Sequence, residues 1–200
     1  MGATGVLIYL VSPGLIDGYL GAKLRNDGVK RWGADYLYPD PKLTTGKADT
    51  LNREDLVKKY PCSDEETELK CSYSKSHRRV SMPDKMQVYI RQGINPKKIK
   101  QGKYEVDHYV ALCQGGSNDL SNLWIQPRIN KYKKVNYGFA EKDLLEQYIC
   151  GKIKEGTLTP KEAYNKITTD WVKFYLESGA GIGKENRIMG GVLVGDDYDE

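Results

Sequence analysis

The sequence predicts an α+β fold: a short antiparallel strand pair joined to a helix, with further helices and an irregular N-terminal extension. Three observations predict it. Tyr104–Leu112 (YEVDHYVAL) is rich in β-formers and ends before a Gly115-Gly116 pair, which reads as a strand running into a turn. Leu123–Ile125 is a second short apolar run. From Phe139 to Ile153, apolar residues fall at 140, 144, 145, 148, 149 and 153, which is helical spacing.

The remaining elements follow in order. Residues 1–60 form an extension of mixed character. Its start, residues 5–20 (GVLIYLVSPGLIDGYL), is apolar but broken by Pro13, Gly14 and Asp17, and no Lys or Arg precedes it. It lacks the basic region of a signal peptide and is short for a membrane span, so it reads as a docking segment for protein or membrane. Gly33–Lys47 reads as loop. Residues 61–178 read as one domain. Within it, Asp84–Gln92 is expected to be a short helix, and Gln114–Ser121 a loop hinged at the two glycines. Thr159-Pro-Lys-Glu162 opens a last helix: Thr caps, Pro takes the first helical position, and Glu stands three residues after the cap. Ala163, Ile167, Trp171 and Phe174 share one face of it. Residues 179–200 form a Gly-rich tail with an acidic end.

Composition narrows the classes of function. The chain has 200 residues, a net charge of +4 and only two histidines, His77 and His108. Its four cysteines, Cys62, Cys71, Cys113 and Cys150, contain no CxxC pair, which excludes a zinc ribbon or finger. The even count fits two disulfides or four thiols, and secretion or an intracellular setting. The basic excess is compatible with a polyanionic partner.

The chemistry-bearing residues sit in the predicted strand–loop–strand–helix unit. Asp107-His108 is followed by Gly115-Gly116 and then Asn122-Leu-Trp124, with Asn122 fourteen residues after His108. Phosphodiester hydrolysis needs a base to activate water and a cation to stabilise the developing charge. His108 suits the base, since an imidazole is largely neutral near pH 7. Asp107 offers a hard oxygen to Mg²⁺ or Mn²⁺. Neighbours on a regular strand face opposite ways, so sharing one site requires the chain to bend there. Asn122 both donates and accepts and is suited to ordering the loop. Basic runs bracket the unit: Lys97, Lys98, Lys100 and Lys103 before it, then Arg128, Lys131, Lys133 and Lys134, with Tyr132 and Tyr137 interleaved. His77-Arg78-Arg79 is a third cluster. Such runs suit contacts to a phosphate backbone.

The stretch YEVDHYVALCQGGSNDLSNLWIQP resembles the core of the HNH (ββα-metal) endonuclease superfamily, in particular bacterial and phage members with a DH…GG…NLW signature. The likeness continues through Lys142-Asp143-Leu-Leu-Glu146, similar to a KDxLE helix, and spans about residues 70 to 175. It implies a ββα-metal core and an endonuclease, with DNA the expected substrate and one divalent ion. Asp107 would be the metal ligand, His108 the general base and Asn122 the loop-ordering residue. The sequence departs from the pattern at Ala140, where such members often carry a His. Asn136, Glu141 and Asp143 are then the nearby substitute ligands. The departure keeps a second expectation open, a degenerate, non-cutting member that binds nucleic acid or serves a structural role. The resemblance also implies a Cys71–Cys150 disulfide, or two buried thiols at those places.

Overall fold

In a computed structural model of the chain, the described residues are 38–181 without 63–69, 96, 98–101, 103, 129 and 133–134. The apolar start at 5–20 lies outside them, as do Lys98, Lys100, Lys103, Lys133, Lys134 and nearly all of the C-terminal tail. The chain is of the α+β class. In order it forms α1 (Arg53–Val57), β1 (Tyr60–Pro61), β2 (Lys70–Cys71), α2 (Tyr73–His77), α3 (Met82–Arg91), β3 (Tyr104–His108), β4 (Leu123–Pro127), β5 (Asn130–Tyr132), β6 (Val135–Tyr137), α4 (Phe139–Glu155) and α5 (Pro160–Ser178). The strands make three separate antiparallel pairs, β1–β2, β3–β4 and β5–β6.

The helix boundaries follow from local chemistry. Ser81 Oγ accepts from the Asp84 amide while the Asp84 carboxylate accepts from the Ser81 amide. This reciprocal cap starts α3 at Met82, two residues before the expected start at Asp84. At α4 the Glu141 carboxylate reaches back to the Gly138 amide at 2.6 Å. Gly138 is obligatory for a different reason: a Cβ there would lie 1.8 Å from the Arg128 carbonyl oxygen. The Thr159–Glu162 capping box opens α5 as the sequence predicts. This helix breaks at Asp170 (φ −161°, ψ 89°), whose carboxylate accepts from the Lys173 amide and from the Tyr38 hydroxyl.

The β3–β4 hairpin is held between two apolar clusters. Leu145, Ile149 and Ile153 on α4 meet Ala163, Ile167, Trp171 and Phe174 on α5, and Trp124 of β4 joins them. Burying each such aliphatic side chain contributes roughly 1.5–3 kcal/mol. Leu123 and Ile125, on the other face of β4, pack with Val88 of α3 and with Tyr104 and Val106 of β3. Period-two alternation thus sends one face of the hairpin to α4 and the other to α3. The stretch before residue 61 also joins this body: Leu56 lies in the main cluster, and Arg53 Nε donates to the Ile153 carbonyl at the end of α4.

The cysteine pairing differs from the expected Cys71–Cys150 bond. The disulfides are Cys62–Cys71 and Cys113–Cys150. The reason is topological. Pairing of β1 with β2 sets Tyr60 opposite Cys71, so Cys62 is the thiol at hand. Cys150 on α4 meets instead the turn Leu112–Gln114 that follows β3. Among the described residues, no helix is long and apolar enough to cross a membrane.

Candidate active site at the hairpin–helix seam

β3 remains a regular strand through His108, which pairs with Leu123, while Asp107 pairs with Trp124 and Glu105 with Gln126. The chain therefore does not bend between Asp107 and His108, and their side chains leave opposite faces. Glu105 and Asp107 share the face that α4 covers. There Lys142, wholly buried, points its ammonium at the strand. Its Nζ donates to Asp107 Oδ2 at 2.6 Å, to the His108 carbonyl oxygen at 2.7 Å, and to the Glu146 carboxylate one turn on. A Lys-Asp pair at a helix start reads from sequence as solvated surface; here the lysine is fully buried.

Asp143 completes a cluster. One carboxylate oxygen from each of Glu105, Asp107 and Asp143 lies within 4.8 Å of the others. Four carboxylates, counting Glu146, thus gather around one ammonium. The excess negative charge shows in their protonation. Burial, reinforced by Asp107 and Asp143, pushes the Glu105 carboxyl up to about 8. Burial and then Asp107 push Asp143 up to about 6. Burial also raises Glu146. Burial disfavours charge on Lys142 as well, but Asp107 and Glu146 outweigh it and hold the ammonium above the ordinary lysine range. On the same face of β4, both polar ends of the Gln126 amide and the Trp124 indole nitrogen are buried with no hydrogen-bond partner among the described residues. Cross-strand neighbours stand side by side, so Gln126 adjoins Glu105.

His108 lies on the opposite face, 5% exposed. Its Nε2 is 3.2 Å from Asn118 Oδ1. Burial pulls the imidazole below its ordinary value, against Asp107, which pulls it up. Arg78, exposed after α2, exerts its charge on both His108 and Asp143.

No known protein family, curated protein or solved structure matches this chain.

The loop between the strands is ordered by Asn122, wholly buried. Its Oδ1 accepts from the Val110 amide at 2.9 Å, and its Nδ2 donates to the Val110 and Ser117 carbonyls at 2.9 and 2.8 Å. Gly116 sits against this knot: a Cβ would stand 1.7 Å from the Val110 oxygen and 2.7 Å from Asn122 Nδ2.

The structure separates the substitute ligands named from sequence. Asp143 is in the cluster. Glu141 is spent on capping α4 at Gly138. Asn136 lies on β6, in register with Lys131 on β5. Sequence reasoning missed Glu105, although its position two residues before Asp107 on a strand puts both on one face. It also missed Asn118. Of the basic residues, Arg78, Arg79, Lys97 and Arg128 are exposed, and Lys131 belongs to β5.

Proposed function

We propose that this chain is a metal-dependent endonuclease that hydrolyses phosphodiester bonds of nucleic acid, DNA foremost, on a ββα-metal core of the HNH type. One observation carries the reading: three carboxylates converge within 4.8 Å where a two-stranded hairpin meets the following helix, with His108 next along the same strand. The order β3, ordered loop, β4, α4 is the order such a core needs, here with the β5–β6 pair set between β4 and the helix.

The reading implies one divalent ion, Mg²⁺ or Mn²⁺, and the residues fit it. The donors are hard carboxylate oxygens. They outnumber the single ammonium facing them, and an unpartnered amide adjoins them. Asp107 would hold the ion, with Glu105 and Asp143 in reach; together they stand in for the ligand that Ala140 does not supply. When bound, the ion neutralises charge that builds on the phosphate oxygens during attack. His108 takes a proton from the attacking water. The water oxygen bonds to phosphorus, the bond to the sugar oxygen breaks, and that oxygen takes a proton from solvent. Asn122 holds the loop that positions the strand end. Arg78, Arg79 and Arg128, with the lysines of the flanking runs, receive the backbone phosphates. Two disulfides fit an oxidising compartment.

A second reading has its own observation. Lys142 already gives Asp107 a cation, and a site neutralised this way suits a degenerate domain that binds nucleic acid or serves a structural role without cutting. Plasmid cleavage separates the two. The nuclease reading expects cutting with Mg²⁺ or Mn²⁺, none with EDTA, and a loss of at least ~100-fold in His108→Ala. Equal cleavage by wild type and His108→Ala removes His108 as the base. Salt-sensitive binding with no cutting under any ion establishes the second reading.

A further inference from the structure

Asn118 stands between the two histidines of the chain, and two backbone groups of opposite character fix the direction of its amide. Nδ2 donates to the His77 carbonyl oxygen at 2.7 Å. A carbonyl can only accept, so this end must be the NH₂ group. The Arg79 backbone N–H donates to Oδ1 at 3.2 Å. A backbone N–H can only donate, so that end must be the oxygen. The same Oδ1 lies 3.2 Å from His108 Nε2. An amide oxygen carries no hydrogen, so the proton of this contact must sit on the imidazole. Among the described residues no hydrogen bond reaches His108 Nδ1.

We infer that Asn118 is a positioning residue: it locks His108 as the Nε2–H tautomer and so makes Nδ1 the atom that takes the proton from water. The tautomer follows from hydrogen bonds alone; the proton-accepting role rests on the nuclease reading proposed above. A neutral imidazole has one basic nitrogen, and the hydrogen bond at the other decides which. Serving as base, Nδ1 gains a proton, water becomes hydroxide as it attacks, and the imidazolium keeps its Nε2–H on Asn118. The charged groups whose fields reach the ring are Asp107 on β3, Arg78 after α2 and Lys142 on α4, of which Asp107 and Lys142 lie on the other face of the strand.

His77 supplies an internal reference. Its Nδ1 is 2.9 Å from the Tyr73 carbonyl oxygen, which can only accept, and 2.7 Å from Ser76 Oγ, whose one hydrogen goes to that same carbonyl, so this ring is the Nδ1–H tautomer. The two histidines of the chain are therefore opposite tautomers. Nitrogen-15 NMR of the ring nitrogens in the labelled full-length chain, at about pH 8, above the ordinary imidazole range, reads this directly. The expected spectrum has one Nε2–H ring and one Nδ1–H ring, and His108→Gln removes the Nε2–H set. If His108→Gln removes an Nδ1–H set, or if the His108 signals report rapid averaging of the two forms, the tautomer lock is overturned.

Kinetics tests the role. Asn118→Ala is expected to lower kcat at least ~10-fold with KM little changed, and to let the His108 tautomers exchange. Asn118→Asp keeps the acceptor and adds a charge beside the ring. It should retain the Nε2–H signal and move the acid limb of the kcat profile up by about one pH unit. Wild-type kcat and an unmoved limb in both variants overturn the positioning role. Full cleavage by His108→Ala overturns the base instead, and leaves the NMR result standing.

Discussion

Lys142 is paired with Asp107, Glu146 and the His108 carbonyl, yet one ammonium cannot neutralise four carboxylates. Glu105 records the imbalance. Its carboxyl titrates near 8 in the folded chain, against 4.5 ordinarily, so the native state holds this proton more tightly than the unfolded chain. Stability from that protonation is complete below about pH 4.5 and is lost as pH rises through about 8. Asp143, raised from 3.8 to about 6, acts the same way at lower pH. His108 opposes them below its ordinary 6.5, because burial favours its neutral form. Between about pH 6.5 and 8 Glu105 and Glu146, both pushed up to about 8 by burial, therefore dominate this group. With EDTA present, the melting temperature should fall across that window, by at most ~1.4 kcal/mol of stability per pH unit for one proton. A divalent ion needs the ionised carboxylate, so Mn²⁺ should stabilise more at pH 8 than at pH 6.5. Glu105→Gln should make the EDTA curve shallower, leaving the part due to Glu146, and weaken the Mn²⁺ effect. Parallel melting curves with and without Mn²⁺ at every pH would remove these carboxylates as the ion site.

The hairpin, its loop and α4 are the elements most open to reading from sequence, because each depends on local signals. The Thr159–Glu162 box sets α5, the 3.6-residue spacing sets α4, and β-formers on either side of Gly115-Gly116 set β3 and β4. The loop assignment of Asn122 also followed from its neighbours in the chain. What sequence did not reveal depends on contacts across elements. Lys142 reads as surface until α4 is laid on β3. Asn118 is one of many polar loop residues until α2 brings the His77 carbonyl to it. The β5–β6 pair was hidden because Asn130–Tyr137 reads as a basic run. The Asn122 knot gives this scale its own test. Asn122→Ala leaves the Val110 amide and the Val110 and Ser117 carbonyls without their side-chain partner in a buried place. At ~1–3 kcal/mol for each unsatisfied group, urea unfolding should show a loss of roughly 3 kcal/mol or more. Asn122→Asp keeps the acceptor and loses both donated bonds, so it should not rescue. A loss below about 1 kcal/mol in Asn122→Ala would mean that the loop is held by something else.

At the scale of the molecule, the two disulfides tie different things. Cys62–Cys71 closes a nine-residue separation at the β1–β2 pair. Cys113–Cys150 closes a separation of 37 and fastens the turn after β3 to α4, the two elements whose seam holds Asp107, Asp143 and Lys142. Chain entropy alone gives the longer bridge ~4 kcal/mol and the shorter ~2.5 kcal/mol. The difference is modest in stability but should be large in function. Cys62→Ser/Cys71→Ser should lower the unfolding midpoint while leaving metal-dependent cleavage by the still-folded protein near wild type. Cys113→Ser/Cys150→Ser should lower the midpoint further. It should also weaken Mn²⁺ binding in folded protein, because α4 is then free to shift against β3 and the three carboxylates lose their common spacing. Calorimetric titration of Mn²⁺ below the melting temperature of each variant separates affinity from stability. Equal affinity in the two variants would show that packing of Leu145, Ile149 and Trp124 sets the seam without help from the bridge. Weaker binding confined to the Cys113/Cys150 variant would make the oxidation state of one bond a condition for the site.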